Sequence, residues 1–202
     1  GTPPSWPGLS RACRREGGQG DGRNSKVAAR FPRGPIWSRI DRVKSQRKIE
    51  TASNSASTYA GGITIKSSQE LATMRQAGAI VAAVLELLKR SVEPGITTRE
   101  LDNIAYKEII RCGASPTFKK YRGFPASICT SINEEIVHGI PGKRVLQEGD
   151  IIKLDVGATV DGFIGDAAIS VAVGRVSQVG AELIDTTRLS LEEGIKAAQP
   201  SN

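Results

Sequence analysis

Three side chains in this 202-residue chain could do chemistry together: His138, its only histidine, and the aspartates Asp155 and Asp166, both set in apolar, strand-like sequence. Asp155 follows Ile151-Ile152-Lys153-Leu154, and Asp166 follows Phe163-Ile164-Gly165. Asp161-Gly162 stands between these runs, and Asp-Gly flanked by apolar stretches is a strong hairpin signal. A turn centred near Val160-Asp161 sets Asp155 opposite Asp166 on adjacent strands, side chains on one face and β carbons about 4.5–5.5 Å apart. Like charges so placed repel unless a cation sits between them, and two hard oxygen donors on one face suit a divalent ion or a pair of ions. The competing reading makes one aspartate a turn residue and leaves the other in solvent. Asp161 fits the turn role and is given no chemistry.

His138 is a weaker signal, because a lone histidine serves structure as readily as catalysis. It lies between Glu134-Glu135 and Gly139-Ile140-Pro141, near the end of a short expected strand, Ile136–Ile140. Strand ends commonly carry site residues, so catalysis and core packing both stay open for it. Cys129, inside an expected strand over Ala126–Ile132, reads by itself as a small buried hydrophobe. No nucleophile-elbow pattern or Gly-rich phosphate loop competes with this group.

The elements that must position these residues are legible from about Ile63 onward. Ser67/Ser68 with Glu70 is an N-cap with a capping-box partner. From Gln69 to Val92 apolar residues recur at helical spacing: Leu71, Met74, Ala77, Ile80, Val81, Val84, Leu85 and Leu88. Met74 falls on this stripe and reads as core packing. Pro94-Gly95 ends the helix, and Thr97-Thr98-Arg99-Glu100 caps a second one that runs through Ile109 and Ile110 to about Gly113. An aromatic-bearing loop, Ser115–Pro125, follows. Strands are expected over Ile151–Val160 and Phe163–Val173, and a last helix over Val179–Ala198. Leu85–Pro94 and Leu191–Pro200 align faintly, a sign of a duplicated unit that begins again near the end of the chain.

Charge divides the chain. Residues 1–60 hold 12 of its 28 Lys/Arg and 4 of its 21 Asp/Glu, so the net charge of +7 belongs to that segment and the remainder is close to neutral. The first 62 residues are rich in Gly, Pro, Ser and Arg without sustained periodicity, a composition that cannot bury enough apolar surface to offset chain entropy. The division is therefore a basic, disordered extension over 1–62 and a folded part over 63–202. The extension could act as an organellar transit peptide, as an arm touching ribosomal RNA, or be non-native coding sequence, since the chain starts at Gly1 and its one methionine is Met74. The basic balance gives no ground for a specific nucleic-acid-binding domain. No apolar run reaches roughly 18 residues, so no transmembrane helix and no membrane partner are expected. Three cysteines are too few for a disulfide framework, which points to a reducing compartment.

The motifs themselves carry a likeness. Ser131-Ile132-Asn133-Glu134-Glu135-Ile136-Val137-His138-Gly139-Ile140-Pro141, then Leu154-Asp155-Val156, then Asp161-Gly162-Phe163-Ile164-Gly165-Asp166, closely resemble type I methionine aminopeptidase. Pro94-Gly95-Ile96-Thr97-Thr98 and Tyr121-Arg122-Gly123-Phe124-Pro125 also look like that family. The resemblance implies an α/β (α+β) pita-bread fold, the creatinase/aminopeptidase type. Here it is incomplete: the first of two pseudo-symmetric halves plus the first helix of the second. It implies an enzyme that removes the initiator methionine from nascent polypeptides, using two divalent ions (Co, Mn, Fe or Zn). Asp155 and Asp166 match metal ligands, and His138 matches a catalytic, substrate-contacting histidine. Tyr121, Phe124 and Cys129, with Phe118 less securely, match the pocket for the methionine side chain. The family's other ligands, a His and two Glu, have no counterpart in this chain, which is therefore expected to be inactive alone. A cytoplasmic location and a monomeric full-length protein follow from the same likeness, with an organelle the alternative if residues 1–62 are a transit peptide. Aminopeptidase P or prolidase fits less well, since both carry a large folded N-terminal domain. A non-enzymatic pita-bread module contacting RNA or the ribosome is the reading from another class.

Overall fold

The computed structural model describes residues 64–200, so the expected disorder of 1–62 lies outside the described residues. Its elements run α1 (Ser68–Ser91), α2 (Thr98–Arg111), β1 (Ser115–Pro116), β2 (Ile128–Ile132), β3 (Ile151–Val160), β4 (Phe163–Ala172) and α3 (Gln178–Ala197). Both expected capping boxes are present. The Ser67 side chain accepts from Glu70 N and the Glu70 carboxylate accepts from Ser67 N; Thr97 and Glu100 repeat the arrangement at α2. These reciprocal bonds satisfy amide donors that a helix start otherwise leaves unpaired.

The sheet is antiparallel and built around β3. One edge of β3 pairs with β2 and then with the two-residue β1; the other pairs with β4 along its whole length. Period-two alternation divides β3 between two faces. Ile152, Leu154, Val156, Ala158 and Val160 are buried against the helices, whereas Lys153, Asp155, Gly157 and Thr159 project from the opposite face. The core joins the first set to Ile80, Val81, Val84 and Leu88 of α1, Leu101 and Ile109 of α2, and Ile128 and Ile132 of β2. Full burial of side chains of this size contributes about 1.5–3 kcal/mol each. α1 lies close against Gly165 of β4, where a β carbon would stand 2.6–2.7 Å from the backbone of Ala77 and Gly78. Against the expectation that no helix is apolar enough to cross a membrane, α1 is so by length and composition; its buried residues pack against this sheet.

Three further expectations change. Ile136–Ile140 is not a strand: His138 has φ 59°, left-handed backbone that breaks an extended run. Met74 and Leu71 lie at the edge of the α1 stripe and are 37% and 38% exposed, outside the core. Ile110 of α2 is likewise turned outward, at 48%. α3 forms as expected; Leu183, Leu191 and Ile195 are exposed and only Gly180 is buried, because α3 touches the sheet at little more than its first turn.

Candidate active site

The hairpin expected at Asp161-Gly162 is there, with positive φ at both residues (46° and 84°), the signature of a two-residue turn whose twist matches its strands. That turn places Val160 opposite Phe163, and the ladder follows: Asp155 pairs with Ala168 and Gly157 with Asp166. The aspartates are therefore diagonal rather than directly opposed, a correction of two residues in register. The turn centre lies between Asp161 and Gly162, one residue beyond the position taken from the sequence. An even shift leaves every side chain on its face, so Asp155 and Asp166 still share the open face of the sheet. Cys129, not Asp166, is the residue directly across from Asp155, on β2.

A cleft of about 580 Å³ opens on this face, and all seven residues singled out from the sequence line it: Phe118, Tyr121, Phe124, Cys129, His138, Asp155 and Asp166. Arg122, Gly123, Pro125 and Ile140 line it too. These four were missed as site residues although each lies within two positions of one that was named; adjacency in a tight loop was the available signal.

Each wall has a local cause. The aromatic wall folds back on itself through Tyr121 N donating to Phe118 O (3.0 Å), Phe124 N to Tyr121 O (2.9 Å) and Lys120 N to Phe124 O (2.8 Å). Left-handed backbone at Lys120 (φ 72°) and Arg122 (φ 47°) lets the chain turn that sharply. The base of the loop is tied to β3 by Thr117 N donating to Gly157 O and by a 2.8 Å bond between the Thr117 and Thr159 hydroxyls. Gly157 then matters for its missing side chain: a β carbon there would stand 2.7 Å from the Phe118 ring. His138 is delivered by the loop between β2 and β3. Gly139 N donates to Ser131 Oγ (3.1 Å) and Gly139 O accepts from Thr130 N (2.9 Å), so the residue after His138 is fastened to β2.

The electrostatics answer whether a cation suits the place. Burial, and after it the charge of Asp166, push the Asp155 carboxyl above its ordinary value, with His138 pulling the other way. The Cys129 thiol is pushed up to about 11, by burial first and then by Asp155 and Asp166. Two carboxylates are thus held together on one face in mutual repulsion, a donor set that fits a hard divalent cation. Among the described residues, no group of three or more His, Cys, Asp or Glu side chains gathers to hold a metal on its own.

An antiparallel sheet backed by two helices thus holds two carboxylates and a histidine in one aromatic-lined cleft. Residues 72–202 match the metallopeptidase family M24, and the chain belongs to that family. Within it the likeness is to methionine aminopeptidases. The chain is 50% identical over 138 residues to methionine aminopeptidase 1 of Bacillus subtilis, a match covering 68% of this chain and 56% of the relative. The solved methionine aminopeptidase of Thermotoga maritima superposes with a TM-score of 0.66 at 39% identity, covering 67% of this chain and 55% of that one. Aminopeptidase P of Escherichia coli shares the fold at a TM-score of 0.55 and 25% identity, covering 63% of this chain and 28% of that one. The chain thus spans little more than half the length of the methionine aminopeptidases it matches.

Proposed function

We propose that this chain supplies one half of the active site of a methionine aminopeptidase: two metal-binding carboxylates, a substrate-contacting histidine and the pocket for the methionine side chain. The observation that carries the reading is the single cleft holding His138, Asp155 and Asp166 beside Phe118, Tyr121, Phe124 and Cys129. Asp155 and Asp166 would hold the divalent ions, which the family resemblance puts at two, and the remaining ligands would come from the part of the relatives that this chain does not span. When bound, such ions supply Lewis acidity and activate water at neutral pH. The chain's own residues do the rest. The rings of the aromatic wall and the buried Cys129 offer apolar surface to a flexible thioether, with sulfur–aromatic contacts as an added attraction. His138, at the cleft wall beside the carboxylates, is placed to hydrogen-bond the peptide and to hand a proton to the departing amine.

The substrates under this reading are the N-termini of nascent polypeptides, acted on in the cytosol, or in an organelle if residues 1–62 serve as a transit peptide. The identity to methionine aminopeptidases, higher than that to aminopeptidase P, favours release of methionine over cleavage before proline. The test is peptide hydrolysis with Mn²⁺ or Co²⁺, on Met-Ala and Xaa-Pro peptides. The chain alone should release nothing. Joined to the segment of the Bacillus subtilis enzyme that lies beyond the matched region, it should release methionine from Met-Ala peptides, and Asp155→Asn should abolish that release. Robust turnover by the chain alone would overturn the half-site reading, and release from Xaa-Pro peptides alone would overturn the specificity.

A further inference from the structure

Lys153 stands two residues before Asp155 on the same open face of β3, across from Ser131 on β2 and Ser170 on β4. A lysine on such a face would ordinarily run its stem along the surface and leave its ammonium in water. Here Nζ donates to the main-chain carbonyl of Asn133, at 2.7 Å, and to that of Glu135. Carbonyl oxygens turned toward one point carry like partial charges, and the arrangement is favourable only with a cation between them.

The loop is built to present those two carbonyls. Asn133 has left-handed backbone (φ 53°), and its side chain is committed to the start of β3: Oδ1 accepts from Ile151 N and Nδ2 donates to Asp150 Oδ1, both at 2.9 Å. The Glu135 side chain is likewise committed, Oε2 accepting from Ile132 N and Oε1 from Arg144 Nη1, both at 2.8 Å. With the side chains engaged elsewhere, the carbonyls of these two residues are left to face Lys153. Three residues on, the chain reaches His138, and Gly139 is fastened to Ser131 Oγ. Ser131 and Lys153 are themselves partners in the β2–β3 ladder, so one register pair pins the loop on both sides of His138.

We propose that Lys153 is a positioning residue, a tethered cation whose ammonium gathers the Asn133 and Glu135 carbonyls and thereby fixes where His138 enters the cleft. The inference rests on the reading of His138 as the substrate-contacting histidine, but its test reads the place of the imidazole rather than turnover. His138 is the only histidine of the 202-residue chain, so ¹⁵N-histidine labelling yields one imidazole spectrum. Lys153→Ala should shift or broaden that signal, and n-propylammonium, which refills the emptied slot with an N–H donor, should return it toward the wild-type position. Tetramethylammonium, a cation without donors, should not. An unmoved signal in Lys153→Ala overturns the proposal, as does equal recovery with both cations. Should Lys153→Ala fail to fold, Lys153→Arg carries the test, because it keeps the charge and relocates the donors: the imidazole signal should move, and an unmoved signal overturns the proposal. Failure of methionine release in the peptidase assay leaves this result standing, and the reverse also holds.

Discussion

Asp155 and Asp166 share one face of the β3–β4 hairpin on a diagonal, Asp155 beside Ala168 and Asp166 beside Gly157. Diagonal partners in a sheet are about 7–8 Å apart at the backbone, still within reach of longer side chains. The two carboxyls nevertheless approach closely enough for Asp166 to hydrogen-bond Asp155 as well as repel it, a crowding that a bound cation would relieve.

In metal-free protein this pair costs stability, and pH sets when. Burial and the charge of Asp166 raise Asp155 above its reference value of 3.8. A carboxyl whose pKa rises on folding holds its proton more tightly in the native state, so the penalty is absent in acid below the unfolded value and grows as pH climbs through the raised one. Asp155→Asn should therefore stabilise the EDTA-treated chain at pH 7 by about 0.2–1 kcal/mol, the range for a cross-strand charge pair, with the gain fading below about pH 4. Urea titrations at the two pH values measure this. Added Mn²⁺ should reverse the order, stabilising wild type through binding to the native state and leaving the variant unmoved.

Cys129 lies directly across the ladder from Asp155 and reports on the same charges. Its thiol is raised from 9.0 to about 11, which lowers the thiolate fraction at pH 8 about 100-fold relative to an ordinary cysteine. Iodoacetamide should accordingly modify residue 129 very slowly, as followed by mass spectrometry of the peptide that contains it. Asp155→Asn should speed the reaction by removing one of the two charges. Rapid alkylation of the wild-type residue would mean that the cleft around Cys129 is open and solvated.

How far the sequence reached depends on the range of the interaction involved. The caps at Ser67 and Thr97 were legible because they are settled within four residues, and β3 was legible because its buried face and its turn agree. The diagonal of Asp155 and Asp166 was not, since Asp-Gly announces a hairpin while the register depends on which bond the turn is centred on. The cleft residues were recoverable through motif likeness; from spacing alone, Tyr121 and Phe124 are only aromatics in a loop. His138 was found but misplaced on a strand, because positive φ at a histidine has no signal in composition. The Lys153 contact was invisible for a different reason. It joins side chain to main chain across roughly 20 residues, and the backbone acceptors could have belonged to any residue type.

Two glycines of the hairpin should separate stability from the cleft. A β carbon on Gly165 would meet the backbone of Ala77 and Gly78, atoms that cannot move aside without shifting α1. Gly165→Ala should destabilise the fold by about 1–3 kcal/mol, the usual cost of overpacking. On Gly157 the same carbon would meet the Phe118 ring, which can swing away, and the Thr117 β carbon, which moves only with its loop. Gly157→Ala should unfold at a urea concentration closer to wild type, while the complemented enzyme shows a raised KM for Met-Ala peptides. Equal loss of stability in both variants would place Phe118 in the structural core and not in a pocket wall.

Gly139 makes the strongest demand. A β carbon there would overlap the Thr130 carbonyl oxygen, part of the strand against which the His138 loop is fastened. No rotamer change relieves a clash with backbone, so Gly139→Ala must push the loop away from β2 and weaken the bond from Thr130 N to Gly139 O. Because β2 remains paired to β3 along Ile128–Ile132, the displacement should stay local: the sheet survives while His138 leaves the cleft. In the complemented enzyme, kcat should fall on the order of 10²-fold, the scale on which about 1 Å of misplacement acts. Amide exchange should rise at Thr130 and Gly139 while the amides of β3 keep their protection. Full activity in this variant would show that His138 needs no fixed position, and would remove it from the site.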